Sequence, residues 1–279
     1  METIILPDVL NLSSSKSIVV YDYKSTIEIS KQQILLSKNT FSFLREGAKE
    51  VFFDNSNYAI DNSEFLLMKS GNCLMTEKLS SESKYYRSIL FFFSNEDVLQ
   101  FMRKFNLETS SSKITYSTHA FRYDSFITRF VDSLLDILKL SKSIQENILK
   151  AKFEEIMLYL IDLNGVDFLY SLMENSGHQN LQFIQTIENN KLNKLTIKEL
   201  SFLSNMSVST FKREFEKNFN SSPIKWFQDK RLEHAAYLLK IKSKRPSDIF
   251  EEIGYENLSN FIQAFKTKFK VTPKQYQSN

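Results

Sequence analysis

The sequence has little cysteine, glycine or proline, and it has no long apolar segment. Its 279 residues include one Cys, five Gly and four Pro. The single cysteine, Cys73, excludes an intramolecular disulfide and a multi-cysteine zinc site, and we expect a small buried side chain there. Scarce glycine and proline, with 25% charged residues, argue against collagen-like and broadly disordered proteins. The longest apolar runs, 89–93 and 156–161, are far shorter than the ~18 residues of a membrane helix.

The start of the chain and its histidines exclude further classes. The opening residues METIILPDVL show no basic segment followed by a long apolar core, so we expect no signal peptide, no membrane partner and a cytoplasmic protein. The three histidines, His119, His178 and His234, lie outside the segment predicted below to form strands. No Gly-rich phosphate loop and no paired acids with a nearby histidine are present. These absences predict a protein that is not an enzyme and that uses no metal or other cofactor.

Charge is distributed unevenly along the chain. Residues 181–279 hold 17 Lys and Arg against 10 Asp and Glu, a net charge of +7, whereas residues 1–180 hold 19 against 23, a net charge of −4. The length, with 42% hydrophobic and 14% aromatic residues, predicts two domains with packed cores. A basic segment is often only a solvated surface, but this one coincides with an internal repeat, which favours a nucleic-acid face.

Short β-rich segments separated by turn residues extend from about residue 17 to residue 93, and they predict a β-sandwich or small barrel. Helical spacing of apolar residues follows over about 95–175. A polar linker then separates a first domain, 1–177, from a second, 178–279. The predicted strands are Ile18–Tyr23, Gln33–Leu36, Thr40–Arg45, Glu50–Phe53, Glu64–Lys69 and Arg87–Phe93. The predicted helices are Asn95–Phe105, with Asn95 as its cap, Ala120–Leu140, Ser143–Asp162 and Val166–Asn175.

One helical stripe has two interpretations. Phe126, Phe130, Leu134 and Ile137 recur at helical spacing. They can pack a helical layer against the sheet, or they can form the seam of a homodimer. The sequence leaves both open.

An internal repeat dominates the second domain. Two phenylalanine stripes at four-residue steps, each followed by a proline and a further aromatic residue, are fifty residues apart. The matched pairs are Phe211 and Phe261, Phe215 and Phe265, Phe219 and Phe269, Pro223 and Pro273, and Trp226 and Tyr276. Five matches at one offset indicate a structural repeat. The phenylalanines are predicted core residues, and they identify the outward face of each helix.

A short amphipathic helix and a tight turn precede each stripe. In the first copy Thr196 and Glu199 form a capping box, and Ser207 caps the next helix. In the second copy a helix over 246–253 is followed by another that begins near Asn257. This order of helix, turn and helix in each copy predicts two helix-turn-helix units, 196–219 and 246–269. A long helix over 223–241 joins them.

The two copies differ in length by one residue. Leu200 and Ile249 are 49 residues apart, whereas the stripes are 50 apart, so the second turn holds one extra residue. The long helix between the copies is expected to hold two recognition helices at a fixed separation, so that both enter successive major grooves.

These features resemble the DNA-binding domain of the AraC/XylS family over residues 181–279. The family has alanine where Ser201 and Phe250 stand, and glycine where Asn220 and Lys270 stand. Bulky Phe250 implies repacking of the second unit, while Asn220 suits the left-handed conformation of glycine better than Lys270 does. The stretches that carry the resemblance are Leu195–Ser201, Ser207–Phe219, Pro223–Leu239, Ile249–Tyr255 and Phe261–Tyr276.

The resemblance implies a sequence-specific transcription regulator of double-stranded DNA, an activator that contacts RNA polymerase. Bases are read by the exposed side of the second helix in each unit, where Asn260 and Gln263 can read adenine and Leu258 or Ile262 can contact a thymine methyl group. The implied positions are Ser207, Ser209, Thr210, Lys212 and Arg213 in the first unit, and Leu258, Ser259, Asn260, Ile262, Gln263 and Lys266 in the second.

The strand-rich first domain resembles the cupin-like regulatory half of many family members, which binds a small effector, dimerises or binds a regulatory protein. The expected fold class is therefore α+β, with an N-terminal β-sandwich or barrel flanked by helices and an all-α C-terminal domain. A rival interpretation is a cupin-type small-molecule enzyme or sensor with an incidental helical tail, but the strands lack the clustered His and acid of catalytic cupins. Aromatic residues of the strands can line an apolar pocket or fill the core: Phe41, Phe43, Phe52, Phe53, Phe65 and Phe91–Phe93.

Overall fold

The computed structural model of the protein describes residues 2–10, 17–54, 56–107, 117–173 and 179–278. The chain divides into two compact units, Met1–Gln179 and Asn180–Asn279, which are called here the N-terminal and C-terminal units. The boundary predicted after residue 177 falls outside the described residues and stays a prediction.

Two five-stranded sheets form the N-terminal unit. In chain order the strands are β1 (Ile4–Leu6), β2 (Val19–Ser25), β3 (Ile29–Leu36), β4 (Asn39–Glu46), β5 (Ala48–Phe52), β6 (Asn57–Ile60), β7 (Glu64–Met68), β8 (Gly71–Lys78), β9 (Tyr86–Phe93) and β10 (Thr118–Arg122). The first sheet has the order β1-β3-β8-β5-β6 and the second has the order β10-β7-β4-β9-β2. β1 pairs with β3 in parallel, and the other pairings are antiparallel.

The second sheet is the middle layer between the first sheet and a layer of helices. Successive side chains of a strand point to opposite faces. Phe43 and Phe65 are buried in a core shared with the helices, whereas Leu44 and Leu66 are buried in a core shared with the first sheet. The aromatic residues that the sequence assigned to either a pocket or the core are at most 5% exposed and fill these layers.

The helices of the N-terminal unit follow β9, with β10 between the first and the second helix, and a short 3-10 turn lies near the start of the chain at Asp8–Leu10. They are α1 (Asn95–Lys104), α2 (Ser125–Ile137), α3 (Lys142–Asn164) and α4 (Asp167–Met173). The predicted starts of two helices, α1 and α2, were wrong. The cap of α1 is Ser94, because its side chain and that of Asp97 form a reciprocal capping box. Residues 118–122 pair with β7 as an edge strand, and α2 begins only after Asp124, whose Oδ1 accepts the Ile127 amide at 2.8 Å.

Of the two interpretations of the α2 stripe, burial favours core packing over a dimer seam. Phe130, Leu134 and Ile137 are 2%, 0% and 5% exposed and lie in the core between α2 and the second sheet. Phe126 is half-buried, and its ring stacks on Tyr159 of α3 at 3.9 Å between centroids. The stripe packs within one chain, so apart from the exposed part of Phe126 it leaves little apolar surface for a second copy.

A buried ion pair lies among the strands of the first sheet. Lys49 on β5 and Glu77 on β8 stand opposite each other, with side chains 2% and 5% exposed and an N–O distance of 3.2 Å. Lys49 Nζ also donates to Tyr86 Oη at 3.3 Å, and burial raises the pKa of Tyr86 well above its usual range. Cys73 is fully buried as expected, and burial likewise raises the pKa of its thiol. Lys49 thus joins Glu77 and Tyr86 in one buried hydrogen-bonded group.

Seven helices are described in the C-terminal unit: α5 (Gln179–Asn189), α6 (Ile197–Leu203), α7 (Val208–Phe219), α8 (Pro223–Lys240), α9 (Pro246–Ile249), α10 (Leu258–Phe269) and α11 (Pro273–Ser278). They enclose two cores, and α8 contributes to both, with Phe227 in one and Leu232 in the other. The α+β class with a helical C-terminal unit is confirmed. Over the part of the chain that is described, no helix is long and apolar enough to cross a membrane.

Leu134→Glu is expected to lower the free energy of unfolding of the N-terminal unit by about 4 kcal/mol or more, because it buries an unpaired carboxylate. Thermal unfolding followed by circular dichroism measures the loss. The control is Leu163→Glu on α3, where the native side chain is 57% exposed and little change is expected. Equal stability of the two variants would contradict the placement of Leu134.

Candidate nucleic-acid interface

The first helix-turn-helix begins with the predicted capping box. The Glu199 amide donates to Thr196 Oγ1 at 3.2 Å, and the Thr196 amide donates to Glu199 Oε2 at 2.6 Å. Two donors at the start of α6 are thereby satisfied. Leu200 and Leu203, at most 4% exposed, anchor the opposite side of this helix.

A tight turn joins α6 to α7. The Asn205 amide donates to the Phe202 carbonyl at 3.0 Å, and the Met206 amide donates to the Ser201 carbonyl at 2.9 Å. Asn205 has a φ of 52°, a left-handed conformation that asparagine tolerates better than most residues. Ser201, where the family has alanine, is buried with its hydroxyl donating to the Lys198 carbonyl at 2.9 Å.

The second helix-turn-helix repeats these bonds 49 residues later. The Gly254 amide donates to the Glu251 carbonyl at 3.0 Å, and the Tyr255 amide donates to the Phe250 carbonyl at 2.9 Å. Gly254 has a φ of 86°, and a Cβ there would lie 2.8 Å from Arg231 Nη1. Helix α9 ends at Ile249, short of the predicted residue 253. The backbone turns are equivalent although the helices before them differ in length.

The extra residue of the second unit is Glu256. Ser207 and Asn257, which are fifty residues apart, cap α7 and α10, so the offset changes between Tyr255 and Asn257. Asn257 Oδ1 accepts the Asn260 amide at 2.8 Å, and Ser207 Oγ accepts the Thr210 amide at 3.1 Å. The two recognition helices are therefore capped in the same way.

Both stripes of phenylalanine are core residues, as predicted. Phe211, Phe215, Phe261 and Phe265 are 0% exposed. Each stripe ends in a half-buried phenylalanine whose ring lies near a later aromatic residue, with 4.9 Å between the centroids of Phe219 and Trp226 and 5.2 Å between those of Phe269 and Tyr276. The remaining faces of α7 and α10 are left to the solvent.

The outward face of α7 carries hydroxyl groups and cations. Ser207, Ser209, Lys212 and Arg213 are exposed, and Thr210 is half-buried. Ser207 Oγ lies 2.9 Å from both Ser209 Oγ and Thr210 Oγ1, so the three hydroxyls form one cluster at the helix start. The Arg213 side chain is 74% exposed, and its Nε lies 3.7 Å from Glu214 Oε1. This face is free to meet a polyanion.

The outward face of α10 carries amides and one cation. Ser259, Asn260, Gln263 and Lys266 are exposed, and Ile262 is half-buried. Leu258 differs from the expectation, because it is half-buried and packs against the core of the second helix-turn-helix. Only part of the Leu258 side chain therefore remains on the outward face.

Two residues replace the family's glycines at helix ends. Asn220 after α7 and Lys270 after α10 are both left-handed, with φ values of 49° and 64°. Lys270 adopts this conformation although it was expected to suit it less. Its amide donates to the Lys266 carbonyl at 2.8 Å, and its ammonium group donates to the Thr267 carbonyl at 3.0 Å, which helps to hold the turn.

The positions of the histidines give little support for a catalytic role. His119 lies on β10 rather than outside the strands as predicted, and burial against Phe121 and Phe168 lowers its pKa to about 4. His234 is half-buried on α8, and His178 falls outside the described residues. Among the residues that can be described, no three His, Cys, Asp or Glu side chains group as metal ligands.

Sequence reasoning missed residues that position the recognition helices. Helix α5 was not predicted as a helix, yet its Phe183 fills the first core with its ring 5.4 Å from that of Phe211. The i, i+4 spacing of Phe183 and Ile187 was an available signal. Two lysines form contacts between segments that are distant in the sequence, and such contacts leave no local pattern. Lys194 donates to the Glu251 carbonyl, and Lys268 of α10 donates to the Asp229 carbonyl of α8.

Two family models match this architecture. The model described as ExsA N-terminal regulatory domain matches residues 39–172, and the model described as helix-turn-helix domain matches residues 200–279. Together they span well over half of the chain and fall in different structural units.

Curated relatives agree with these matches. The HTH-type transcriptional regulator ExsA of Pseudomonas aeruginosa is 28% identical over 124 residues, 44% of this chain and 44% of the relative. The virulence regulon transcriptional activator VirF of Yersinia enterocolitica is 25% identical over 156 residues, 56% of this chain and 57% of the relative. The chain covers between 27% and 57% of the length of the curated relatives it matches.

Solved structures show a distant likeness. Apo ToxT from Vibrio cholerae is matched over 94% of this chain and 97% of its own, with 13% identity and a TM-score of 0.44. The DNA-binding domain of AdpA in complex with a target DNA is matched over 36% of this chain and 90% of its own, with 18% identity and a TM-score of 0.33.

The two matched models define a chain with a helix-turn-helix domain that follows a domain similar to the ExsA N-terminal regulatory domain. The chain belongs to the AraC/XylS family, which confirms the resemblance recognised in its repeat.

Phe215→Ala is expected to lower the free energy of unfolding of the C-terminal unit by about 3–5 kcal/mol, because it leaves a cavity in a closed core. The only tryptophan, Trp226, lies 5.7 Å from the Phe215 ring, so its fluorescence during urea unfolding reports on this unit. The control, Gln263→Ala on the exposed face, is expected to change stability by less than ~0.5 kcal/mol. A large loss in the control would show that the buried and exposed faces are misassigned.

Proposed function

We propose that this protein is a sequence-specific DNA-binding transcription activator that reads two adjacent major-groove segments with α7 and α10. The observation that carries the proposal is the pair of helix-turn-helix units built around one helix, α8, with each phenylalanine stripe turned inward. Burial of the stripes leaves the opposite faces, rich in hydroxyl, amide and cationic groups, available to DNA.

The chemistry of each face suits a different part of DNA. Lys212 and Arg213 on α7 are exposed cations that can contact phosphates or the acceptors of guanine. Asn260 and Gln263 on α10 present amides that match adenine, and the exposed part of Ile262 suits a thymine methyl group. The net charge of +7 over residues 181–279 supports attraction to phosphates in general.

The name of one relative supports activation as the mode of regulation. VirF of Yersinia enterocolitica is named a transcriptional activator, and it matches this chain over 156 residues. An activator increases transcription by contacting RNA polymerase, which we propose as a second partner after DNA. A DNA-bound activator of this kind acts in the cytoplasm.

Arg213→Ala and Gln263→Ala are each expected to weaken binding to the cognate DNA by about 1–3 kcal/mol, because each removes a contact to a base edge or phosphate. Fluorescence anisotropy with a duplex from the region upstream of the gene measures the affinity. With roughly four to eight phosphate contacts, log affinity should fall against log salt with a slope of about −4 to −7.

The matched control for Arg213 is Arg103→Ala on α1, since the two side chains are 74% and 72% exposed. This variant should bind DNA as the unchanged protein does. A salt slope near zero would overturn the proposed function, and equal effects of Arg213→Ala and Arg103→Ala would overturn the assignment of the interface.

The N-terminal unit is proposed to receive a signal and to join two copies of the chain. With the α2 stripe buried, the apolar surface available for pairing lies on α3. Ile144, Ala151 and Leu158 recur every seven residues, and all three are exposed, with Ile144 at 52% and Leu158 at 41%. Seven-residue spacing keeps one face of a helix toward a partner helix, so a second copy of α3 is the partner that fits this stripe.

Leu158→Glu is expected to dissociate a dimer without unfolding it, because charge at the seam is unpaired only when two copies associate. Sedimentation should show the mass halved at micromolar concentration, with an unchanged circular dichroism spectrum. The control is Leu163→Glu, which changes an equally apolar side chain, 57% exposed, away from the stripe. A monomeric unchanged protein, or a Leu158→Glu variant of undiminished mass, would refute this seam.

A further inference from the structure

Lys268 joins the second recognition helix to the helix shared by both units. From α10 its ammonium group reaches α8, where it donates to the Asp229 carbonyl at 2.9 Å, to Asp229 Oδ1 at 3.1 Å and to Glu233 Oε1 at 3.0 Å. Lys230 donates to the other carboxylate oxygen of Glu233 at 3.2 Å. One cation on α10 is thus held by acceptors on successive turns of α8.

The three side chains in this contact differ in burial, and their bonds affect the ionisation of Glu233. The Lys268 side chain is 20% exposed, whereas those of Asp229 and Glu233 are 40% and 50% exposed. Partial burial by itself raises the pKa of Glu233, but hydrogen bonds from Lys268 and Lys230 outweigh it and lower the pKa overall. The two lysines therefore favour the ionised form of Glu233, the form that accepts from Lys268.

The first helix-turn-helix has no equivalent contact. The residue fifty positions before Lys268 is Asn218, and its amide group donates to the Glu214 carbonyl of its own helix at 2.8 Å. Helix α7 meets α8 through aromatic rings such as Phe219 and Trp226, with 4.9 Å between centroids. Ring contacts define a packing distance but not a fixed point along the helix, whereas an ammonium group held by a carbonyl and two carboxylates does.

The position of α10 along α8 decides how far apart the two recognition helices lie. Helix α8 is a single element of both cores, through Phe227 in the first and Leu232 in the second. Because α7 packs against Trp226 and Phe227 near the start of α8, a shift of α10 along α8 changes the separation of their outward faces. On B-DNA one base pair corresponds to about 3.4 Å, so a small shift alters which sites fit both helices.

We infer that Lys268 is a positioning residue that sets the separation of DNA segments this protein accepts, by fixing α10 against Asp229 and Glu233 of α8. This inference rests on the proposed function, since it concerns how two recognition helices engage one duplex. Partly exposed ion pairs add little to stability, so the effect is expected in the geometry of binding more than in unfolding.

The test compares affinities for a set of duplexes. Sites selected by the unchanged full-length protein from random duplexes are remade with the spacer between the two contacted segments shortened or lengthened by one and two base pairs. The unchanged protein should prefer one spacer by about tenfold or more, which corresponds to about 1.4 kcal/mol. Lys268→Met should reduce this preference at least about threefold, or move the optimum, and Lys268→Arg should restore it.

A charge control separates geometry from general attraction to phosphates. Lys274→Met removes an equally charged but exposed side chain from α11, and its spacer profile should match that of the unchanged protein. Trp226 fluorescence verifies that every variant is folded. A uniform loss of affinity on all spacers in Lys268→Met, an unchanged profile, or an absence of spacer preference in the unchanged protein would overturn the inference. Failure of the unchanged protein to select any duplex would instead overturn the proposed function.

Discussion

Packing of two phenylalanine stripes against one helix is the constraint on which the C-terminal unit depends. Phe215 and Phe265 are fully buried in separate cores, and α8 supplies side chains to both. Burial of an aromatic side chain contributes a few kcal/mol, so each stripe determines the rotation of its helix about its own axis. Once the rotation is fixed, the outward residues are fixed as well. The candidate interface is thus a consequence of core packing, and no additional structural element is needed to expose it.

Much of this unit could be predicted from the sequence because its signals are local and repeated. The capping box of Thr196 and Glu199 depends on neighbours within a few positions. The fifty-residue offset and the extra residue in the second turn are visible because the pattern occurs twice. The bond from Lys268 to Asp229 joins residues 39 apart in the sequence, and any exposed lysine has the same appearance in a linear pattern. The partial burial of Leu258 was not predicted for a related reason, since the depth of the core at the start of α10 is a tertiary property.

The N-terminal unit was harder to predict because its interior does not follow the simple rule of apolar inside and polar outside. Lys49 and Glu77 are buried as a pair, so β8 carries an acid where a strand pattern requires an apolar residue, and the strand was missed. Residues 118–122 resemble the beginning of the next helix in their spacing, and only pairing with β7 makes them a strand. The stripe on α2 was correctly recognised as apolar, but periodicity cannot tell which partner covers an apolar face.

The two recognition helices differ chemically although their backbones repeat. Helix α7 presents hydroxyl groups with Lys212 and Arg213, whereas α10 presents Asn260 and Gln263. Cations bind phosphates and guanine, and amides match adenine, so under the proposed function the two contacted segments have different base preferences. Because its two recognition helices differ, a bound chain would have one defined orientation on its DNA site. If two chains associate through α3, their sites can be arranged as direct or inverted repeats, and the operator's arrangement then reports how the N-terminal units pair.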